Sequence, residues 1–111
     1  MNSLRNKVQL IGNLGTDPEL FTFEGGNKKA SFSLATNESY TNKAGEKVEQ
    51  TQWHNIVFYG KTAEIAEKFL NKGNEIAIEG KLTTRSYDKD GEKRYVTEII
   101  GNELLMLGKK A

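Results

Sequence analysis

Apolar side chains recur at every second position through most of this chain, and the rhythm changes to steps of three and four only once, between Thr62 and Leu70. Period two is the mark of strands buried on one face, so the sequence admits several strands and one helix. Lys7 to Leu14 alternates and ends at Gly12-Asn13-Leu14-Gly15. Lys28 to Thr36 sets Ala30, Phe32 and Leu34 against Ser31 and Ser33, and runs on toward Tyr40. Gly25-Gly26-Asn27 separates Phe21 and Phe23 from that second strand, as a tight turn does. Thr41 to Glu49 is polar and reads as an exposed loop. From Gln50 to Tyr59 the strand formers return, with Thr51, Trp53, Asn55, Val57 and Tyr59 on one face and His54, Ile56 and Phe58 on the other.

The helix follows, carrying Ala63, Ile65, Ala66, Phe69 and Leu70 on its apolar side, with Thr62 placed to cap its start and Gly73 beyond its end. Glu75 to Tyr87 alternates again, with Ile76, Ile78 and Leu82 opposite Lys81, Thr83, Arg85 and Tyr87. Asp88-Lys89-Asp90-Gly91 makes a charged turn, and Arg94 to Leu107 forms a last strand interrupted at Gly101. Five short antiparallel strands must hide their edges, and closing into a small barrel plugged by the helix does so. The expected fold is all-β with one helix: a five-stranded Greek-key barrel of the oligonucleotide/oligosaccharide-binding (OB) type, helix between strands 3 and 4. Residues 1–111 fit a single domain of one core.

The chain lacks cysteine, which removes disulfides, thiolate metal sites and a cysteine nucleophile. No apolar run approaches the roughly 18 residues of a membrane span, and Met1 to Lys7 lacks the core of a secretory signal, so a soluble cytoplasmic protein with no membrane partner is expected. Sixteen Lys and Arg against 15 Asp and Glu leave a formal net charge of +1, so a polyanion partner requires segregated cations. Nothing in the spacing suggests an enzyme: the only histidine is His54, and the carboxylates are scattered among lysines. Gly60-Lys61-Thr62 imitates the end of a phosphate-binding loop, but Asn55 stands where its first glycine belongs. Asp88, Asp90 and Gly91 resemble part of a calcium loop without its flanking helices and read as a hairpin turn. Asn37-Glu38-Ser39 fits a glycosylation triplet that has no use without export. Neither metal nor cofactor is expected.

Phe32, Phe58 and Phe69 take inward positions and read as core, and Tyr95 as structural. Tyr40, Trp53, Tyr59 and Tyr87 fall on polar faces or strand ends and are expected to share one surface. Such rings either rest on the core with their polar tips outward or offer flat surfaces on which unpaired bases stack, each worth about 1–3 kcal/mol whatever the base. Lys7, Lys43, Lys61, Lys72 and Arg85 lie where they can track phosphates, and Asn55 can add a hydrogen bond. His54, opposite Trp53, fits a buried or interface position.

Several runs together resemble the bacterial single-stranded-DNA-binding protein family: Asn6 through Gly15, Asp17-Pro18-Glu19, Leu34-Ala35-Thr36, Gln50 through His54, Phe58-Tyr59-Gly60-Lys61, Leu70, Lys72-Gly73 and Ile78 through Arg85. The likeness extends from about Leu4 to Leu107. It implies an OB fold, a homotetramer, and single-stranded DNA wrapped across it without sequence preference in DNA replication, recombination and repair. It further implies stacking on Tyr40, Trp53, Tyr59 and Tyr87, although Tyr stands at 40 and 87 where the family often has Trp. Asn55, Thr83 and Ser86 stand where many relatives carry cations, and His54 matches a subunit-interface position. Family members usually continue into a Gly-rich linker and an acidic tip that recruits replication and repair enzymes. This sequence ends Leu107-Gly108-Lys109-Lys110-Ala111, so recruitment by a tip is not expected of these residues. The alternatives are an OB-fold accessory protein that binds RNA or a specialised replication-restart DNA, and a structural barrel whose aromatic face is a protein interface.

Overall fold

The computed structural model describes residues 3–109; the first two and last two residues, which belong to the terminal readings above, lie outside it. After a 3₁₀ turn at Ser3–Asn6 come β1 (Val8–Leu14), β2 (Glu19–Thr22), β3 (Lys28–Thr41), β4 (Lys47–Tyr59), α1 (Lys61–Phe69), β5 (Asn74–Lys89) and β6 (Glu92–Lys109). The sheet runs β1-β5-β6-β4-β3, and β1 returns to pair with β3 through Asn13 opposite Ala35 and Leu14 opposite Leu34, so five strands close a barrel. The β4–β6 pairing is parallel and the other pairings are antiparallel. This is the expected five-stranded closure. The sixth strand, β2, is a four-residue addition along the edge of β3, paired over Lys28–Ser31 below the β1 contact.

Alternation decides what the barrel encloses. Phe32 and Leu34 on β3, Ile56 and Phe58 on β4, Ile76 and Ile78 on β5 and Ile99 on β6 are all buried, and the Phe32 and Phe58 rings stack with centroids 6.2 Å apart. Each such side chain contributes about 1.5–3 kcal/mol by leaving water. The helix plugs one end through Ala63, Ala66 and Leu70. Its interior stripe is made of small residues, which lets the helix axis approach the barrel closely and leaves Ile65 and Phe69 outside, the latter 52% exposed. Phe69 is therefore not core. Nor does Thr62 cap α1: the helix begins at Lys61 after Gly60, with no side-chain cap.

Two hairpins extend beyond the barrel and lengthen the molecule to 56 × 39 × 34 Å. The loop from Thr41 to Glu49 is shorter than expected: β3 and β4 stay paired as far as Thr41 opposite Lys47, and only Asn42–Glu46 turn. The Asn42 Oδ1 accepts hydrogen bonds from the backbone N–H groups of Ala44 (3.0 Å) and Glu46 (2.9 Å), so this polar residue shapes the turn itself. The β5–β6 arm reverses at Asp90 and Gly91, both at positive φ (53° and 78°), as a tight hairpin requires. Its register slips between Glu79 and Gly80, where Asn102 is the extra residue beside Gly101; this is the interruption expected of the last strand. Among the described residues, no helix is long and apolar enough to cross a membrane.

Candidate nucleic-acid interface

On β4 the residues that alternate away from the core are Trp53, Asn55, Val57 and Tyr59. Trp53 is 63% exposed and Tyr59 half-exposed, about 20 Å apart along the strand. Across the parallel pairing Val57 lies opposite Ile100, and across the antiparallel one Lys81, Thr83, Arg85 and Tyr87 on β5 face Ile100, Glu98, Val96 and Arg94 on β6. Paired residues share a side of a sheet, so Trp53, Tyr59, Arg85 and Tyr87 stand on one continuous outer face across β4, β6 and β5. An open groove of about 320 Å³ lies on this face, bordered by Ser31, Ser33, Asn55, Val57, Val96 and Glu98.

Two contacts organise the face. One edge of the Trp53 indole rests on Gly15, whose backbone N–H donates to the Ser33 carbonyl at 2.9 Å. Any side chain at Gly15 would collide with the ring. At the other end, the Arg85 Nε–H donates to Glu98 Oε1 at 3.0 Å. This hydrogen bond, and then the charge of Glu98, raise the guanidinium further above its ordinary range, with smaller contributions from Tyr59 and Tyr87. Arg85 therefore stands on this face as a permanent cation, with half its side chain open to solvent.

The other sequence-derived candidates are dispersed. Tyr40 is half-exposed, but it pairs with Val48, while Trp53 pairs with Ala35 in an unbroken register; even and odd positions point oppositely, so Tyr40 lies on the other face of the β3–β4 ribbon. The four rings do not share one local surface. Lys43 sits in the turn of that ribbon, and Lys61 opens α1 two residues after Tyr59. The Lys72 backbone N–H donates to Asp17 Oδ1 at 2.7 Å, beside the strand end that carries Gly15, and its side chain is exposed. Lys7 is held by Glu79 at 3.0 Å on the β1–β5 side. His54 lies opposite Trp53, half-buried, its Nε2 3.1 Å from Thr36 Oγ1. Tyr95, expected to be structural, is 67% exposed on the β5–β6 arm. Gly15 and Glu98 escaped the sequence reading because their partners are 38 and 13 residues away. No local pattern records such pairs.

Known proteins resemble this chain in sequence and in fold. The model of the single-strand binding protein family matches residues 5–107. The chain is 49% identical over 107 residues to single-stranded DNA-binding protein 1 of Xylella fastidiosa, covering 95% of this chain and 79% of that protein. It is 47% identical to single-stranded DNA-binding protein 1 of Chlorobaculum tepidum, of which it spans 66%. Among solved structures it resembles the Plasmodium falciparum SSB complex with ssDNA, with TM-score 0.85 and 36% identity over 92% of this chain and 94% of that one. It also resembles a deletion mutant of the Thermus aquaticus single-stranded DNA binding protein, with TM-score 0.81 and 31% identity over 92% of this chain and half of that one. With the family model covering nearly all of the sequence, and with relatives at 47–49% identity, the chain belongs to the single-strand binding protein family.

Proposed function

We propose that the chain binds single-stranded DNA without sequence preference and covers exposed strands during DNA replication, recombination and repair, in the cytoplasm where the nucleoid lies. The observation that carries this reading is the outer face of β4, β6 and β5, on which Trp53, Tyr59 and Tyr87 accompany a permanent cation, Arg85. Unpaired bases stack on the rings and phosphates meet the cations, with Asn55 offering a hydrogen bond from the groove between them. Every base has a flat face, so stacking needs no sequence code. The chemistry is binding, with no covalent step. Tyr40, Lys43, Lys61, Lys72 and Lys7 belong to the same proposal as contacts farther along a wrapped strand, with Lys7 exchanging Glu79 for a phosphate.

Self-association into a homotetramer belongs to the proposal as well. Ile11, Ala77 and Leu105 lie opposite one another on β1, β5 and β6 and form an apolar row on the outside of the barrel, with Ile11 54% and Leu105 61% exposed. A second copy of the chain is the occupant this reading assigns to that row, with His54 at a further subunit contact.

The test is quenching of the fluorescence of Trp53, the only tryptophan, by oligo-dT at two salt concentrations, with oligo-rU and duplex DNA as competitors. The expected result is quenching by oligo-dT that weakens with salt, with a log-log slope of roughly −0.7 per phosphate contacted. Preference for oligo-rU or duplex, or no quenching at all, overturns the reading.

A further inference from the structure

We propose that the strand-binding face continues past Tyr59 across β3 onto β2, where Phe21 stacks a further unpaired base and Lys29 meets the phosphate between the two rings. The inference rests on the single-stranded-DNA reading above and extends it to residues outside the family-derived set. Lys29 pairs with Tyr59 on one side and with Phe21 on the other, so the three form one row on the outer face. With neighbouring strands about 4.8 Å apart, the roots of the two rings are separated by about 10 Å. Phe21 is 57% exposed on a strand with no buried residue, so it has no packing role that explains a phenyl ring there. It is braced edge-to-face by Phe23 at 4.8 Å, next to a turn closed by hydrogen bonds between Phe23 and Asn27 and between Gly26 and Phe23. Lys28 is tied to Glu64 at 2.9 Å, whereas Lys29 has no ion pair among the described residues. A flat apolar ring without a polar tip, continuous with the Tyr59 row and flanked by an unengaged ammonium, fits an unpaired nucleotide of any base.

The experiment moves the fluorescent reporter. In a Trp53→Phe, Phe21→Trp double variant the single indole stands on β2, and oligo-dT is expected to quench it. Phe21→Ala is expected to weaken oligo-dT binding about 5- to 150-fold, and Lys29→Gln to make the salt slope shallower by about 0.7. Phe21 is exposed, so circular dichroism should show an unaltered fold for the single variants. Emission at position 21 that ignores saturating oligo-dT, together with parental affinity for Phe21→Ala, overturns the proposal. A change in sedimentation of Phe21→Ala with unchanged affinity also overturns it, by showing that the patch is a protein contact. Failure of the unmodified protein to show Trp53 quenching instead removes the parent reading, so the two failures are distinguishable.

Discussion

The Trp53 indole is seated on the backbone of Gly15: a methyl group added there would overlap Trp53 Cζ3 and stand 3.0 Å from Cη2. The ring is thereby fixed along one edge while 63% of the residue stays accessible, the condition a stacking surface needs. Gly15→Ala must displace either the indole or the β1–β2 connection. The expected outcome is a shift in Trp53 emission and weaker oligo-dT binding, up to the roughly 1–3 kcal/mol that one stacked base contributes. Emission and affinity both equal to the parent's would show that the seat has no influence on the ring.

Trp53→Ala removes the ring and leaves the barrel intact, because the side chain lies outside the core. Affinity for oligo-dT should fall by about 1–3 kcal/mol with little change in melting temperature. Isothermal titration measures it, since the variant has no tryptophan left to report. A large loss of thermal stability would instead make Trp53 a packing residue.

Arg85 is half open to solvent while the Glu98 carboxylate is largely covered, and water screens the pair at the guanidinium, so a phosphate can compete for Arg85. Glu98→Gln removes the competing charge. Binding should tighten at low salt and the log-log salt slope should steepen by about 0.7, as expected for one more phosphate engaged. Arg85→Gln should do the reverse. An identical slope in both variants would place the pair outside the electrostatic footprint.

What the sequence disclosed and what it concealed divide by the distance over which information is carried. Alternation within β4 separates Trp53, Asn55 and Tyr59 from Ile56 and Phe58, because parity is a property of consecutive residues. Barrel closure follows from the need to hide strand edges, and the family resemblance rests on contiguous runs. Tyr40 has the parity of Ala30, Phe32 and Leu34 and so lies on their side of β3, away from the outer rings; grouping it with those rings overlooks that β3 runs unbroken to Thr41, which the polar stretch beyond it conceals. Phe69 misleads for another reason: at helical spacing it matches the buried stripe, but Ala63 and Ala66 draw the helix so close that the larger ring is left at the margin.

Packing at the barrel centre sets the third kind of expectation. Phe58 is fully buried, and a methyl group on Gly101 would run into its ring. Gly101→Ala should destabilise the fold by about 1–3 kcal/mol through overpacking, measured by urea denaturation. A simultaneous Phe58→Leu should recover part of that loss by making room. Additive effects in the double variant would mean that the two sites do not share the space.

The row of Ile11, Ala77 and Leu105 gives a last expectation, concerning assembly. These residues alternate with Gln9, Glu79 and Glu103, which form the next row along the same three strands, so an apolar line is bordered by a polar one. Covering it with a second copy removes from water what remains exposed of two large aliphatic side chains per subunit, 54% of Ile11 and 61% of Leu105, worth about 1–2 kcal/mol each if burial is complete. Leu105→Glu replaces one of them with a charge that desolvation penalises in any apolar contact. The position is 61% exposed in the isolated subunit, so the variant should fold and keep its barrel while sedimenting as a smaller species than the parent. Oligo-dT should still quench Trp53 in that smaller species, because the ring lies on β4 and not on this face, but the stretch of DNA covered per particle should shrink. Sedimentation of Leu105→Glu indistinguishable from the parent's across a hundredfold dilution would remove the row from the assembly contact.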